Sequence, residues 1–101
     1  MTFVKVATTA DFLFDRIEGF SVSGREFIVA RVNGRFSALG STCTHNGCRL
    51  QGGKIRAGRI QCPCHGSAFD PVTGKVLQGP AEKALPAFHV KVENRQIWVD
   101  L

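Results

Sequence analysis

Apolar and polar positions alternate along this chain in short runs, and turn residues break each run before it reaches helical length. Residues 2–6 alternate and predict a strand. Residues 8–14 fit either a short helical turn capped by Thr8 or Thr9 or an extended segment. Residues 16–22 predict a second strand, and Ser23-Gly24 a turn. Residues 26–32, EFIVARV, are β-branched and aromatic and predict the strongest strand of the chain. Asn33-Gly34 is a hairpin signal, because both central residues of a type I′ turn need positive φ. Residues 35–39 return from it.

The second half is more broken. Residues 50–55 contain Gly52-Gly53 and predict a bend or weak strand, and residues 59–61 and 68–69 predict short strands. Asp70-Pro71-Val72-Thr73-Gly74 reads as a turn, with φ preset at Pro71 and a positive φ tolerated at Gly74. Gly79-Pro80 breaks the chain after the apolar Val76 and Leu77. Residues 88–93 alternate, with Phe88, Val90 and Val92 on one face and His89, Lys91 and Glu93 on the other. His89 on that polar face reads as a surface histidine. Asn94-Arg95 turns, and residues 96–101 close a sheet, with Trp98 packing near its edge.

Roughly eight to ten short strands with almost no helix imply an all-β fold, an antiparallel sandwich or barrel. Residues 40–80 are richer in Gly, Pro and Cys than their flanks. They read as an inserted, site-bearing subdomain on a base formed by residues 1–39 and 81–101. The 101 residues make one domain, small enough that a bound metal or a disulfide would add useful stability.

Composition and charge narrow the function. No apolar run approaches the roughly 20 residues of a membrane span. Asp11, Asp15 and Glu18 interrupt any signal-peptide core near the N-terminus, so the chain is expected to be soluble, cytoplasmic and monomeric. The net charge is +5, but Lys and Arg stand singly along the sequence, without a basic run. That argues against nucleic-acid binding and for a basic surface that steers an acidic protein partner. Ser/His/Asp arrangements, paired carboxylates and phosphate-loop glycine spacings are absent, and with them the signatures of common enzymes.

The chemistry sits in two short stretches, Cys43-Thr44-His45-Asn46-Gly47-Cys48 and Cys62-Pro63-Cys64-His65-Gly66-Ser67. They hold all four cysteines and two of the three histidines. Thiolates and imidazoles from two loops suit zinc or an iron–sulfur cluster. Zinc fingers pair cysteine with cysteine and histidine with histidine, whereas each loop here supplies one of each. A binuclear centre with sulfur on one metal and imidazole on the other meets that arrangement better than a single ion.

The pattern C-x-H…C-x-x-H resembles the Rieske two-iron, two-sulfide family, and CTHNGC with CPCHGS resembles its disulfide-bearing members. The resemblance covers residues 39–80 by motif and the flanks by strand pattern. It implies Cys43 and Cys62 on one iron, His45 and His65 on the other, and a disulfide between Cys48 and Cys64. It also implies surrounding roles for Gly47, Gly66, Ser67, Phe69 and Pro80. Ser67 falls where a hydroxyl donates to a bridging sulfide, and Gly79-Pro80 where a third loop covers the cluster. Imidazole ligation raises the potential from about −400 mV for all-cysteine clusters into roughly −150 to +300 mV. With every coordination position filled, such a centre moves electrons and binds no substrate.

Two positions depart from the high-potential members. Phe69 stands where they carry Tyr, and this chain has no Tyr at all. Asn46 stands where respiratory members carry an apolar residue. An intermediate potential is therefore expected. The leading reading is a soluble one-electron carrier serving an oxygenase or another oxidoreductase, with His45 and His65 as the point of electron exit. Its competitors are the soluble domain of a respiratory or arsenite-oxidase-type Rieske subunit and a zinc-bound structural module.

Overall fold

The computed structural model describes residues 2–44, 47–64 and 66–101. Its strands are β1 (Phe3–Thr8), β2 (Arg16–Val22), β3 (Arg25–Val32), β4 (Arg35–Gly40), β5 (Lys54–Arg56) and β6 (Arg59–Gln61). They continue with β7 (Ala68–Phe69), β8 (Val76–Gln78), β9 (Ala87–Phe88), β10 (Val90–Glu93) and β11 (Gln96–Asp100). Helical structure among the described residues is limited to two 3₁₀ turns, Thr9–Asp11 and Leu50–Gly52. The first takes the helical option for residues 8–14, and the second places a turn before a short strand in residues 50–55.

The strands form three antiparallel sheets, ordered β1-β11-β10, β2-β3-β4-β9 and β5-β6-β7-β8. The middle sheet is covered on both faces. From β3, Phe27 and Val29 pack with Phe12, Ala38, Ile97 and Val99 against the first sheet. Ile28, Ala30 and Val32 point the other way and pack with Leu39, Leu50, Ile60 and Phe69. A strand buried on both faces needs a continuous apolar run, which is why EFIVARV does not alternate.

Paired positive φ values close four two-residue turns: Ser23 (50°) with Gly24 (80°), Asn33 (52°) with Gly34 (78°), Ala57 (52°) with Gly58 (74°), and Asn94 (51°) with Arg95 (63°). The strands on either side of each are antiparallel neighbours, as the primed turn types require. Asp15 braces the second turn, its carboxylate accepting from Asn33 N–H at 2.6 Å and Gly34 N–H at 3.2 Å.

Three expectations need correction. The alternation over residues 88–93 is two strands: β9 pairs with β4, while β10 pairs with β11 in another sheet. The chain changes sheets at His89, and a period of two cannot reveal a change of partner. Val92 follows that change and is 45% exposed instead of sharing a buried face. Trp98 lies on the central strand of its sheet, paired with Lys5 on one side and Lys91 on the other. The Lys91 ammonium sits 4.7 Å from the Phe3 ring centroid and 5.7 Å from that of Trp98.

Candidate metal centre

The two cysteine loops are built alike. The first leaves β4 and the second joins β6 to β7. In each, the cysteine N–H donates to the carbonyl five residues on: Cys43 to Cys48 at 2.8 Å, and Cys62 to Ser67 at 2.8 Å. In each, the fourth residue after the cysteine is a glycine with positive φ, Gly47 at 76° and Gly66 at 77°. Glycine meets that conformation without a Cβ penalty. The loops are therefore one structural unit used twice, and Cys48 and Ser67 occupy equivalent closing positions.

The first loop is clamped at its root. An isolated bridge joins Thr42 and Arg49, and Leu50 N–H donates to Ser41 C=O at 2.8 Å. After it, Gly53 fits against backbone, since a Cβ there would run into the carbonyl oxygens of Gln61 and Leu50. Cys43 and Cys62 are each only 2% exposed and pack in one apolar cluster with Ile60 and Phe69. Phe69 is fully buried.

Cys48 and Cys64 are joined by a disulfide that ties the first loop to the second. The sulfurs of Cys48, Cys62 and Cys64 lie within 4.8 Å of one another, and Cys43 is not part of that group. Two of those three sulfurs are already bonded to each other, so the trio offers a metal one thiolate and not three. The other expected ligands, His45 and His65, and the variant position Asn46, lie outside the described residues.

A third segment, residues 79–86, reaches both loops. Ser67, fully buried, accepts a hydrogen bond at Oγ from the Ala81 N–H at 3.0 Å. Thr44 donates its hydroxyl to the Lys83 carbonyl at 2.6 Å. Leu85 N–H donates to Gly74 C=O, and Gly40 N–H to Pro86 C=O, both at 2.8 Å. Pro80 follows a cis peptide bond in this segment and is exposed. The roles of Thr44, Ala81 and Lys83 escape a reading of the sequence, because they join residues far apart in the chain through backbone groups.

Ser67 accepts the Ala81 N–H with an oxygen lone pair, which keeps its own O–H proton available to donate. A buried hydroxyl with its proton still to donate suits an anionic sulfide. With two buried cysteines and the spacing of His45 and His65, the donor set suits a binuclear iron–sulfur group. In the turn after β7, Asp70 accepts at Oδ1 from Val72 N–H at 2.8 Å and Thr73 N–H at 2.9 Å. The hydrogen bond from the Thr73 backbone holds its carboxyl below the ordinary carboxylate range, outweighing partial burial.

Comparison with known proteins agrees with this geometry. Residues 2–89 match the family model described as the Rieske [2Fe-2S] domain. The ferredoxin component of the naphthalene 1,2-dioxygenase system from Pseudomonas putida is 32% identical over 98 residues, spanning 97% of this chain and 94% of that protein. In the complex of reduced oxygenase and oxidized ferredoxin of carbazole 1,9a-dioxygenase, a solved chain matches with TM-score 0.90 and 32% identity. That match covers 96% of this chain and 91% of the other. The plasma membrane Rieske protein PetC3 from Synechocystis PCC 6803 is 35% identical, with TM-score 0.76, over 97% of this chain and 99% of its own. Its sequence is slightly nearer, yet its backbone fits less well. Matched over nearly its whole length, this chain belongs to the Rieske [2Fe-2S] domain family, and it is an electron carrier with a two-iron, two-sulfide cluster rather than an enzyme in its own right.

Proposed function

We propose that the chain is the ferredoxin component of an oxygenase system, with its cluster held by the thiolates of Cys43 and Cys62 and the imidazoles of His45 and His65. The observation that carries this reading is the repeated loop, which buries one cysteine at the same offset from a positive-φ glycine in each half. When bound, the cluster takes up and releases a single electron. The protein's part is to hold and shield it. Cys48 and Cys64 fasten the loops, Phe69 excludes water behind the buried cysteines, and Ser67 offers a proton to developing negative charge. Residues 40–80 act as the cluster-binding subdomain, on a base of residues 1–39 and 81–101. His45 and His65 are the electron exit.

Phe69 removes one hydroxyl that would stabilise the reduced state, and Asn46 replaces an apolar docking residue. The midpoint therefore lies between those of dioxygenase ferredoxins and respiratory Rieske proteins. The partner is a redox protein with an acidic docking surface, met by a monomer in the cytoplasm. No helix among the described residues is long and apolar enough to cross a membrane. The disulfide favours a second reading, the soluble domain of a respiratory-type subunit. The better backbone match to an oxygenase ferredoxin supports the first.

A redox titration followed by visible absorption tests the proposal. A coloured protein taking up one electron at an intermediate midpoint supports it. A colourless protein with stoichiometric zinc overturns it.

A further inference from the structure

The charge of this chain is concentrated where the cysteine loops are. Residues 40–80 contain five Lys or Arg and one Asp, a net charge of +4. The remaining residues contain eight Lys or Arg and seven Asp or Glu, a net of +1. The ion pairs follow the same division. Arg16 pairs with Glu18, Arg31 with Asp15 and Lys91 with Glu93, all within the base, and Arg49 borrows Glu26 from it. Lys54, Arg56 and Arg59 pair with no acid among the described residues.

Strand register gathers these three cations. In the β5–β6 hairpin, Lys54 opposes Gln61, Ile55 opposes Ile60, and Arg56 opposes Arg59. Ile55 and Ile60 face the core. Lys54, Arg56, Arg59 and Gln61 therefore share the outward face, and the three cations are exposed. Two arginines directly opposite each other across a ladder repel, so the fold gains nothing from this placement. Edge strands often carry charge to block pairing, but Arg59 lies on the inner strand β6, and that need is met by either sign.

The face is also concave and continuous with the metal centre. A hollow of about 260 Å³ lies between Lys54, Arg56 and Gln61 on one side and Cys62, Pro63 and Gly66 on the other. A smaller one, about 130 Å³, adjoins it beneath Arg56, Arg59 and Gln78.

We propose that Lys54, Arg56 and Arg59 on the β5–β6 hairpin form the docking surface for an Asp/Glu-rich patch of the electron-transfer partner, laid along the hollow that ends at Cys62. The proposal rests on reading the chain as an electron carrier and names the charged face that steers the partner. Unpaired cations on one concave face call for carboxylates from outside the chain. That face acts as a steering field that brings the partner to the second cysteine loop.

The test uses the cluster-loaded chain and a fluorescein-labelled peptide of alternating Asp and Glu, followed by anisotropy at low and high ionic strength. Two equal-charge variants are compared: K54Q/R56Q/R59Q, and K5Q/R25Q/R35Q on the base. The hairpin variant is expected to bind about tenfold more weakly at low salt and to lose most of the salt dependence, while the base variant stays within about twofold. Equal losses in both variants overturn the proposal, since overall charge would then suffice. If the hairpin variant fails to fold, amide shifts of the wild-type chain decide. Shifts centred on residues 54–61 support the site, and shifts elsewhere overturn it. A DNA duplex that binds more tightly than the peptide and displaces it overturns the assignment to a protein partner. The visible spectrum is recorded throughout, so a chain lacking the cluster is recognised separately from one lacking the docking face.

Discussion

Replacing Ser67 by alanine isolates the link between the second cysteine loop and the segment that covers it. The Ser67 side chain is fully buried, and its Oγ accepts the Ala81 N–H at 3.0 Å. Ala81 is itself only 4% exposed, so water does not readily replace the lost acceptor. A buried donor left unsatisfied costs about 1–3 kcal/mol. At about 1.4 kcal/mol per tenfold, that is a roughly 5- to 150-fold loss of hydrogen-exchange protection. The loss should appear at the Ala81 amide. Leu85 N–H, which donates to Gly74 C=O at 2.8 Å, should keep its protection unless the whole segment opens. Hydrogen exchange resolved by residue measures both amides in one experiment. The same variant also removes the hydroxyl donor. A hydrogen bond to a charged group contributes about 1.5–3 kcal/mol, and only the part gained on reduction moves the potential, so the midpoint should fall by at most about 65–130 mV for one electron. Unchanged exchange at Ala81 refutes the tether, and an unchanged midpoint refutes the donor role. The two outcomes are independent, because they concern different sides of the same oxygen.

Other perturbations probe the scaffold. Gly53→Ala should destabilise the chain by about 1–3 kcal/mol in urea, since the new methyl meets the Gln61 and Leu50 carbonyls; a loss below about 0.5 kcal/mol would count against that packing. Asp70→Asn keeps an acceptor oxygen and removes only the charge. The folded pKa of Asp70 is lowered, so its charge stabilises the fold above the unfolded value near 3.9 and is lost as pH falls through the folded value. Wild type should exceed the variant by about 0.5 kcal/mol at pH 7, partly screened by solvent, and the two stability curves should converge below about pH 4. Replacing Cys48 and Cys64 together by serine opens a link between residues 16 apart. That should cost about 3 kcal/mol in the cluster-free chain and less once the cluster joins the same loops. Equal costs in both forms would show that the cluster does not bridge them.

Much of this architecture could be read from local signals. Asn33-Gly34 and Ser23-Gly24 announced their hairpins because positive φ is a property of the turn itself. EFIVARV announced the central strand through its composition, although only the structure explains its two buried faces. The Ala57-Gly58 turn went unrecognised, since alanine rarely takes the φ of 52° it has here and so gave no signal. The change of sheet at His89 and the tethers through Ala81 and Lys83 depend on residues distant in sequence, which no local pattern carries. The same holds for the basic face. Lys54, Arg56 and Arg59 stand apart in the sequence and meet only through the β5–β6 register. At the centre, the cysteine and histidine spacing named the chemistry, while the equivalence of the two loops lay in the shared offset to Gly47 and Gly66.

The central claim is the ligand set, and nitrogen coupling to the reduced cluster tests it most directly. The chain is produced with ¹⁵N-histidine, loaded, reduced by one electron and examined by pulsed electron paramagnetic resonance. The account predicts two histidine nitrogens coupled to the cluster, with one lost in each of His45→Cys and His65→Cys, and two irons with two labile sulfides per chain. A reduced cluster without histidine coupling, or one unaltered by either substitution, would contradict it.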